Sequence, residues 1–393
     1  MIKLQISLHW PGCAQGKYII KAKGFILAEL RWGNSDGPLE NWSLFAYVPI
    51  DPAGNGTFYY SGKRGIPTEA THVWAHCFTH DFSSTEDVSV EIPERFILPG
   101  AEGDRVERFS VLTDLHLSAK TWKISRALQS VEQNTVLLIG DSANDGLSEQ
   151  FELFQKSIEA AASEKTIFPV TGNHDILHSS REGSDDGRRN YNEFQRNLLE
   201  KAARNGHVVS FAPDGRAYSL QIGEVDIIGL QCVTTKRQFK FPEEMEIDWM
   251  EDHLEDSTAV WHVIMCHAPL LAHNPNRNEG QPYLHLDKRI QEIVDQRGYI
   301  IFLNGHTHAS PNRSEGNAEF DEKRCNVYLD CGSVVTTDVS GETGLMSPDW
   351  NDGCKTEIAI SKNQVEICMS SIESGIRFPR GYYRFIVPFS TNL

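Results

Sequence analysis

Five apolar runs between residues 109 and 305 each end directly in a carboxylate, amide or imidazole side chain. These side chains belong to Asp114 and His116 after residues 109–113, Asp141 after 135–140, Asn173 after 166–172, His267 after 261–266, and His306 and His308 after 299–305. Short apolar runs of this kind are typical of buried strands. Because loops at the carboxyl ends of strands converge on one edge of an α/β sheet, we expect the five loops to bring these side chains together.

Helical stretches alternate with these runs and predict an α/β domain. Apolar residues recur at helical spacing among charged residues over 117–134, 147–165, 191–203, 242–256 and 285–296. Strands that alternate with helices of this length indicate sheets with helical connections. This domain is predicted to occupy residues 105–393.

The spacing inside the loops favours a shared site. Residues i and i+2 of an extended segment project to the same side, so Asp114 and His116 are expected to point inward together. The same argument applies to His306 and His308. Three of the loops place a glycine directly before a candidate residue, at Gly140, Gly172 and Gly305. Glycine permits a sharp turn and leaves room for a ligand close to the backbone.

The side chains in these loops form a donor set that suits two metal ions. The candidate ligands are Asp114, His116, Asp141, Asn173, His267, His306 and His308. If Asp141 bridges, each of two ions receives four protein ligands and keeps positions for water and substrate oxygens. Oxygen and nitrogen donors favour Mn, Fe or Zn over Ca or a thiolate-selected metal, and affinity alone does not choose among the three.

Each motif is short, and single matches to short motifs arise by chance. Their order along the chain is D-x-H, G-D, G-N-H-D, H and G-H-x-H, and it resembles the calcineurin-like metallophosphoesterase superfamily over about residues 107–335. The resemblance implies a four-layer αββα sandwich, in which two mixed sheets are flanked by helices. It also implies a dinuclear centre of two divalent or mixed-valence metal ions.

The resemblance assigns a role to each motif residue. One ion would be held by Asp114, His116, Asp141 and His308, and the other by Asp141, Asn173, His267 and His306. His174 and Asp175 of the G-N-H-D motif are the candidate catalytic residues. A metal-bound hydroxide would attack phosphorus, and His174 would protonate the leaving group as a general acid.

The chain departs from known family patterns in two places. The Ser/Thr protein phosphatase branch has an Arg soon after the bridging Asp and a G-N-H-E motif, whereas this chain has G-D-S-A-N-D-G over 140–146 and G-N-H-D over 172–175. Protein phosphatase activity is therefore not expected.

Many relatives place an Asp three residues after the bridging one to orient the catalytic His. Here Asn144 and then Asp145 occupy that stretch, which leaves the orienting partner of His174 open.

The first hundred residues have the pattern of a small all-β domain. Strand-like runs at 43–48, 57–60, 72–76 and 88–92 are separated by turn-forming clusters. They predict an immunoglobulin- or fibronectin-like β-sandwich over residues 1–104, which ends in a linker-like stretch. Its tryptophans are Trp10, Trp32, Trp42 and Trp74. We interpret them as core residues, with a glycan-stacking platform as the alternative.

The charge of the chain argues against several partners. With 37 Lys+Arg against 54 Asp+Glu, the net charge is −17, and so acidic a surface repels duplex nucleic acid and anionic membranes. No apolar run approaches the roughly 18 residues that cross a bilayer, and the eight cysteines include no C-x-x-C pair. We therefore predict a cytoplasmic protein without a membrane segment, and its oligomeric state is left open.

The predicted function is metal-dependent hydrolysis of a small organic phosphate, with a phosphodiester as the leading substrate class. A phosphomonoesterase of the same fold is the nearest alternative, and a non-catalytic binding or scaffold protein is the second. Candidates for contact with the substrate are Arg181, Arg188, Arg189, His273 and Arg277. Guanidinium pairs well with phosphate, although a solvated loop also explains any one of these residues.

Overall fold

The computed structural model describes residues 2–8, 16–34, 43–60, 70–92, 106–117, 121–176, 186–231, 244–273, 282–309, 311, 316–335, 353–373, 375 and 377–387. Backbone contacts divide the chain into two units, residues 1–98 with 374–379 and residues 99–373 with 380–393. The domain boundary predicted near residue 104 falls within residues 93–105, which lie outside the described residues.

The first unit, as far as the structure describes it, contains seven strands in two antiparallel sheets. The strands are β1 Lys3–Leu8, β2 Gly16–Lys21, β3 Leu27–Gly33, β4 Ser43–Pro49, β5 Asn55–Tyr60, β6 His72–Phe78 and β7 Thr85–Glu91. Their order is β1-β2-β5 in one sheet and β4-β3-β6-β7 in the other. The four strand-like runs predicted from the sequence are confirmed as β4 to β7. Burial alternates along β3 and β6, as expected where one face of a sheet packs on a core.

One apolar cluster fills the first unit. It includes the fully buried Tyr18 of β2 and Leu30 of β3, so both sheets contribute to it. Trp32 is also buried and stacks on Phe45 with ring centroids 4.0 Å apart, which confirms its predicted place in the core. Of the other tryptophans, Trp74 is partly buried, and Trp10 and Trp42 lie outside the described residues.

The rest of the chain forms a mixed α/β fold. The strands are β8 Glu107–Leu112, β9 Thr135–Ile139, β10 Thr166–Val170, β11 Val209–Phe211, β12 Tyr218–Ile222, β13 Val225–Gly229, β14 Trp261–Met265, β15 Ile300–Asn304, β16 Ala318–Asp321, β17 Asn326–Asp330, β18 Cys354–Ser361, β19 Gln364–Ser371 and β20 Arg377–Ile386. The helices are α1 Thr121–Ser130, α2 Ser148–Ala161, α3 Asp186–Arg204, α4 Glu244–Asp256 and α5 Asp287–Arg297. The five predicted helical stretches are confirmed. None of the described helices is both long and apolar enough to cross a membrane.

The strands from β8 onward form two mixed sheets. A six-stranded sheet has the order β10-β9-β8-β18-β19-β20, and a seven-stranded sheet has the order β11-β12-β13-β14-β15-β17-β16. Strands β8, β9 and β10 run parallel in the first sheet, and β13, β14, β15 and β17 run parallel in the second. Every residue of β10, β13, β14 and β15 is buried, as expected for parallel strands that are covered on both faces.

Both sheets and all five helices contribute to one buried apolar cluster. Helix α2, for example, places Phe151, Phe154 and Ile158 on its buried face at helical spacing. A hydrogen bond joins the sheets directly, because the hydroxyl of Tyr218 in β12 donates to the carbonyl of Pro169 in β10 at 3.0 Å. The two sheets therefore lie in contact.

Candidate metal centre

All seven predicted ligands lie in loops at the carboxyl ends of five parallel strands. Asp114 and His116 follow β8, Asp141 follows β9, Asn173 follows β10, His267 follows β14, and His306 and His308 follow β15. The expectation of a single sheet edge is wrong, because β8 to β10 belong to one sheet and β14 and β15 to the other. The site lies where the carboxyl ends of strands from both sheets meet.

Asp114, His116 and His308 form the first group of donors that could hold a metal ion, and their donor atoms lie within 4.8 Å of one another. His308 Nε2 is 3.1 Å from Asp114 Oδ1, and His116 Nε2 is 3.0 Å from His308 Nε2. Asp141 borders this group, since its Oδ2 is 3.7 Å from His116 Nε2. The structure thus brings together the four residues that the resemblance assigns to one ion.

Asp141, His267 and His306 form the second group. His267 Nε2 lies 3.2 Å from Asp141 Oδ2, and His306 Nδ1 lies 3.2 Å from Asn173 Oδ1, which adds the amide to this group. These are the four residues that the resemblance assigns to the other ion. Asp141 therefore borders both groups.

The glycines before the ligands lie where a larger residue would overlap neighbouring side chains. A Cβ atom on Gly172 would lie 2.1 Å from Asp141 Oδ1, and one on Gly305 would lie 2.6 Å from Asp114 Oδ2. Gly140 has a φ of 76°, a conformation that favours glycine. The sharp turn predicted at these glycines is seen at Gly140, whereas a Cβ at Gly172 or Gly305 would overlap the side chain of a candidate ligand. Together with the imidazole, carboxylate and amide donors, this close packing fits a centre for divalent ions.

Five predicted ligands have backbone conformations that residues other than glycine rarely adopt. Their φ angles are 53° at Asp114, 45° at His116, 51° at Asp141, 66° at His306 and 52° at His308. The assumption of extended segments at 114–116 and 306–308 is therefore wrong, although the residues do meet. Each left-handed residue costs about 1–3 kcal/mol, and such strain tends to collect at functional sites.

Neighbouring residues hold the donors in place. His267 Nδ1 donates to the carbonyl of Ile139 at 2.8 Å, which leaves Nε2 beside Asp141. Thr307, between the two histidines of the H-x-H motif, donates its hydroxyl to the buried carboxylate of Asp330 at the end of β17. Contacts of this kind orient metal ligands and support their affinity.

His174 lies beside both groups and forms an overlapping group with His116 and Asp141. Its ring packs edge-on against His116, with centroids 4.6 Å apart. Its Nδ1 donates to the backbone carbonyl of Asn144 at 2.8 Å. The orienting partner that the sequence left open is thus a carbonyl, while the side chain of Asn144 donates to Asp145 instead.

Asp175 is fully buried behind the donors. Its Oδ1 accepts a hydrogen bond from the N–H of Ala143, and its Oδ2 accepts one from the N–H of Gly172, both at 2.8 Å. The carboxyl group thereby joins the loop after β9 to the loop after β10. Burial, together with the nearby charge of Asp141, raises the pKa of Asp175 to about 8.

The charges at the centre are strongly coupled. Burial disfavours the charged form of His267, but the carboxylate of Asp141 beside it raises the pKa of His267 to about 10. Burial also opposes ionisation of Asp114, yet His308 holds the pKa of Asp114 at about 2. Against the effect of burial, His267 lowers the pKa of Asp141. The buried carboxylates and imidazoles of the centre therefore stabilise each other's charged forms.

Three of the five residues predicted to contact the substrate lie within the described residues, and none of the three belongs to the two donor groups. Arg188 and Arg189 line a cleft beside α3. His273 stacks on Tyr328, and its Nδ1 lies 3.1 Å from Glu319 Oε2. The other two candidates, Arg181 and Arg277, lie outside the described residues.

Sequence reasoning missed one aromatic residue at the centre. The ring of Tyr283 packs edge-on against His306, with centroids 4.7 Å apart. Tyr283 neither follows an apolar run nor belongs to a motif, so no local signal singled it out. The anchor from Thr307 to Asp330 was missed for the same reason.

The fold and the two donor groups fit a hydrolase that acts on phosphoester bonds and could bind metal, and comparison with known families agrees. A family model described as calcineurin-like phosphoesterase matches residues 107–310, just over half of the chain. This match includes all seven predicted ligands. The chain belongs to the calcineurin-like phosphoesterase family.

Solved structures that match this chain share little sequence with it. Purple acid phosphatase PPD1 from yellow lupin (Lupinus luteus) seeds is 11% identical, with a TM-score of 0.51 over 98% of this chain and 74% of that one. PhoD is 10% identical, with a TM-score of 0.44 over 100% of this chain and 92% of that one. The 5'-nucleotidase from Candida albicans SC5314 is 12% identical, with a TM-score of 0.37 over 70% and 50%. The first similarity supports the fold alone. No curated protein matches the chain.

Proposed function

We propose that this hydrolase is a phosphodiesterase that acts on small organic phosphates at a dinuclear metal centre. The position of Asp141 between the two donor groups carries the proposal. Its Oδ2 lies 3.7 Å from His116 Nε2 in the first group and 3.2 Å from His267 Nε2 in the second. A buried carboxylate flanked in this way by imidazoles is suited to bridge two cations.

The seven donors divide between the two ions in this proposal. One ion would be held by Asp114, His116 and His308 and the other by Asn173, His267 and His306, and Asp141 would contribute to both. The mixture of imidazole, carboxylate and amide donors suits Mn, Fe or Zn. When bound, two such ions lower the pKa of a water and neutralise charge on the phosphoryl oxygens.

His174 is proposed to protonate the leaving group. Because its Nδ1 donates to the carbonyl of Asn144, the ring is fixed and Nε2 is the atom that exchanges a proton with the substrate. Its contacts with His116 and Asp141 support this role, since they place it beside both donor groups. A well-placed general acid typically contributes about 10²–10⁴-fold to the rate.

Asp175 is proposed to be a positioning residue. Its carboxyl group is fully buried, and both oxygens accept hydrogen bonds from backbone amides. These contacts support a role in holding the loops that carry Asp141 and Asn173, rather than a contact with substrate.

A diester is the favoured substrate because of its lower charge. A phosphodiester carries one negative charge at neutral pH, whereas a phosphomonoester carries up to two. The net charge of −17 repels anions, and more strongly the higher their charge. The acidity of the chain therefore supports the diester over the monoester.

Turnover of bis(4-nitrophenyl) phosphate and of 4-nitrophenyl phosphate tests this proposal. The protein is chelated and then reconstituted with Mn²⁺, Fe²⁺ or Zn²⁺, and bound metal is counted. We expect a higher kcat/KM for the diester, and loss of turnover and bound metal together in Asp141→Asn. The exposed carboxylate of Asp256 at the end of α4 provides a control, Asp256→Asn, which is expected to keep both.

Two other outcomes of this experiment would each assign a different function to the protein. A higher kcat/KM for the monoester with any of the three metals would make the protein a phosphomonoesterase. Protein that is loaded with two ions but turns over neither substrate would support a binding or scaffold role.

We further propose the finer architecture that the sequence predicts. Two contacting mixed sheets with five described helices support the four-layer αββα sandwich. Two antiparallel sheets with a shared apolar core support an immunoglobulin- or fibronectin-like sandwich in the first unit. A cytoplasmic location and the absence of nucleic-acid binding stay predictions.

A further inference from the structure

The carbonyl that orients His174 lies in an irregular segment between β9 and α2. Asn144 provides this carbonyl, and its oxygen is 2.8 Å from His174 Nδ1. The segment runs from an isolated bridge at Ala143 to the start of α2 at Ser148. The N–H of Asn144 donates to the carbonyl of Leu117 at 3.3 Å, which ties the segment to the loop after β8. The direction of the Asn144 carbonyl is thus set by neither a helix nor a strand.

Gln150, the third residue of α2, folds its side chain back onto this segment. Its Oε1 accepts hydrogen bonds from the N–H of Asp145 at 3.0 Å and from the N–H of Leu147 at 3.3 Å. Its Nε2 donates to Asp145 Oδ2 at 2.9 Å. A glutamine side chain can accept two hydrogen bonds and donate two. Three of these four possible bonds are therefore made to the segment that carries the orienting carbonyl.

The carbonyl of Asn144 and the N–H of Asp145 belong to one peptide unit. In a planar trans peptide the C=O and the N–H point in opposite directions. His174 therefore binds one edge of this 144–145 peptide unit, at the oxygen, and Gln150 binds the opposite edge, at the N–H. A rotation that turned the carbonyl away from His174 would also break the contact with Gln150. Linked hydrogen bonds of this kind also polarise one another, which makes the carbonyl a better acceptor.

The carboxylate of Asp145 holds the Gln150 amide in place. Its Oδ2 accepts from Gln150 Nε2 at 2.9 Å and from Asn144 Nδ2 at 3.1 Å. Asn190 of α3 adds a contact from outside the segment, because its Nδ2 donates to the carbonyl of Gly146 at 3.0 Å. Asn144, Asp145 and Gln150 are half-buried, so water competes less for these bonds than at a fully exposed surface.

We propose that Gln150 is a positioning residue for the general acid. By holding the 144–145 peptide unit, it directs the Asn144 carbonyl at His174 Nδ1, and Asp145 holds Gln150 in the required orientation. Gln150 acts through the backbone and does not itself contact substrate. The inference rests on the proposed role of His174 and deepens it, because it assigns the control of the acid to a residue of α2. A small misplacement of a reacting group lowers the rate by up to about 10²-fold.

The leaving-group dependence of turnover tests this role on the full-length, metal-loaded protein. Gln150→Leu removes the acceptor and the donor at similar side-chain volume. With dibenzyl phosphate, whose alkoxide leaving group needs a proton, we expect kcat to fall about tenfold. With bis(4-nitrophenyl) phosphate, whose leaving group does not, the fall should be less than about twofold. KM and bound metal should not change with either substrate.

Two combined variants separate positioning from a merely structural role. In the His174→Ala background, Gln150→Leu should cause no further loss of kcat, since a positioning residue acts only through the group that it positions. Gln150→Glu alone sets a second carboxylate against Asp145 and should lower kcat on dibenzyl phosphate as Gln150→Leu does. Combined with Asp145→Asn, it should recover most of the wild-type kcat, because the new amide donates to the new carboxylate.

Gln155→Leu is the matched control, because the amide of Gln155 donates to Glu159 of the same helix at 3.3 Å. We expect it to keep the wild-type kcat on both substrates, and circular dichroism checks that every variant is folded. Equal losses on the two substrates in Gln150→Leu would overturn the positioning role, as would an unchanged kcat while His174→Ala is impaired. A wild-type kcat of His174→Ala on dibenzyl phosphate would instead overturn the acid assignment, and this inference with it.

Discussion

His174 Nδ1 lies 2.8 Å from the carbonyl oxygen of Asn144, three residues beyond Asp141 along the chain. A carbonyl only accepts hydrogen bonds, so Nδ1 carries a proton and Nε2 is the nitrogen available for proton transfer. The backbone N–H of His174 also donates to Asp141 Oδ1 at 2.8 Å. One loop therefore positions both the proposed bridging carboxylate and the proposed acid.

Replacement of His174 separates acid catalysis from metal binding. In His174→Ala all seven donors are kept, so bound metal measured by plasma mass spectrometry should be unchanged. We expect kcat to fall by about 10²–10⁴-fold on a diester with an alkyl leaving group. The loss should be smaller with 4-nitrophenolate, which leaves readily without a proton. His207→Ala, in the turn after α3, is the control. A wild-type rate of His174→Ala on the alkyl substrate would remove the assigned acid.

Replacement of Asp175 tests its positioning role. Asp175→Ala leaves the amides of Ala143 and Gly172 without their acceptor, so metal affinity should fall about 10–100-fold, as measured by competition with a chelator. Asp175→Asn keeps a carbonyl acceptor and should lose less. At saturating metal both variants should recover most of the wild-type kcat. A large loss of kcat in Asp175→Asn, with unchanged metal affinity, would make Asp175 a catalytic residue instead.

A methyl group at Gly172 should disrupt the centre. The Cβ of Gly172→Ala would lie 2.1 Å from Asp141 Oδ1, so the carboxylate has to move. We expect loss of bound metal and of turnover, measured on the same sample. In Gly206→Ala the added Cβ meets no atom within 4 Å, so this control should have only the cost of a left-handed alanine and should keep its metal. Equal metal content in both variants would contradict the close packing described at the centre.

Glu357 in β18 is expected to make the stability of the protein depend on pH. Burial raises its pKa from 4.5 to about 7, although Lys355 opposes the shift. Because the folded-state pKa is the higher one, its contribution to stability is complete below about pH 4.5 and is lost as the pH rises through 7. The free energy of unfolding of the wild type, relative to Glu357→Gln, should fall by up to about 3 kcal/mol over this interval. Urea unfolding at several pH values measures the difference, and identical pH profiles of the two proteins would contradict the assignment.

Motif spacing predicted which residues meet at the centre but not how they meet. Asp114 and His116 were placed together by assuming an extended segment, whereas both have left-handed backbones. That conformation is stabilised by contacts of the folded protein, such as the hydrogen bonds from the N–H of His306 to the carboxylate of Asp114. Contacts between loops so far apart in sequence leave no local pattern.

The sequence also did not predict which of the two sheets each strand joins. Buried parallel strands such as β10 and β14 have similar apolar composition, so nothing in their residues tells which sheet each one joins. The orienting carbonyl of Asn144 is equally invisible, because every residue has a backbone carbonyl. The ligands, the glycines before them and the helices between them could be predicted, because each of these features depends on side-chain chemistry at a fixed spacing.

Anomalous X-ray diffraction from crystals of the metal-loaded protein tests the central claim most directly. We predict two metal peaks, one bordered by Asp114, His116 and His308 and the other by Asn173, His267 and His306. Asp141 should contact both. A single peak, or two peaks that do not share Asp141, would contradict the dinuclear centre.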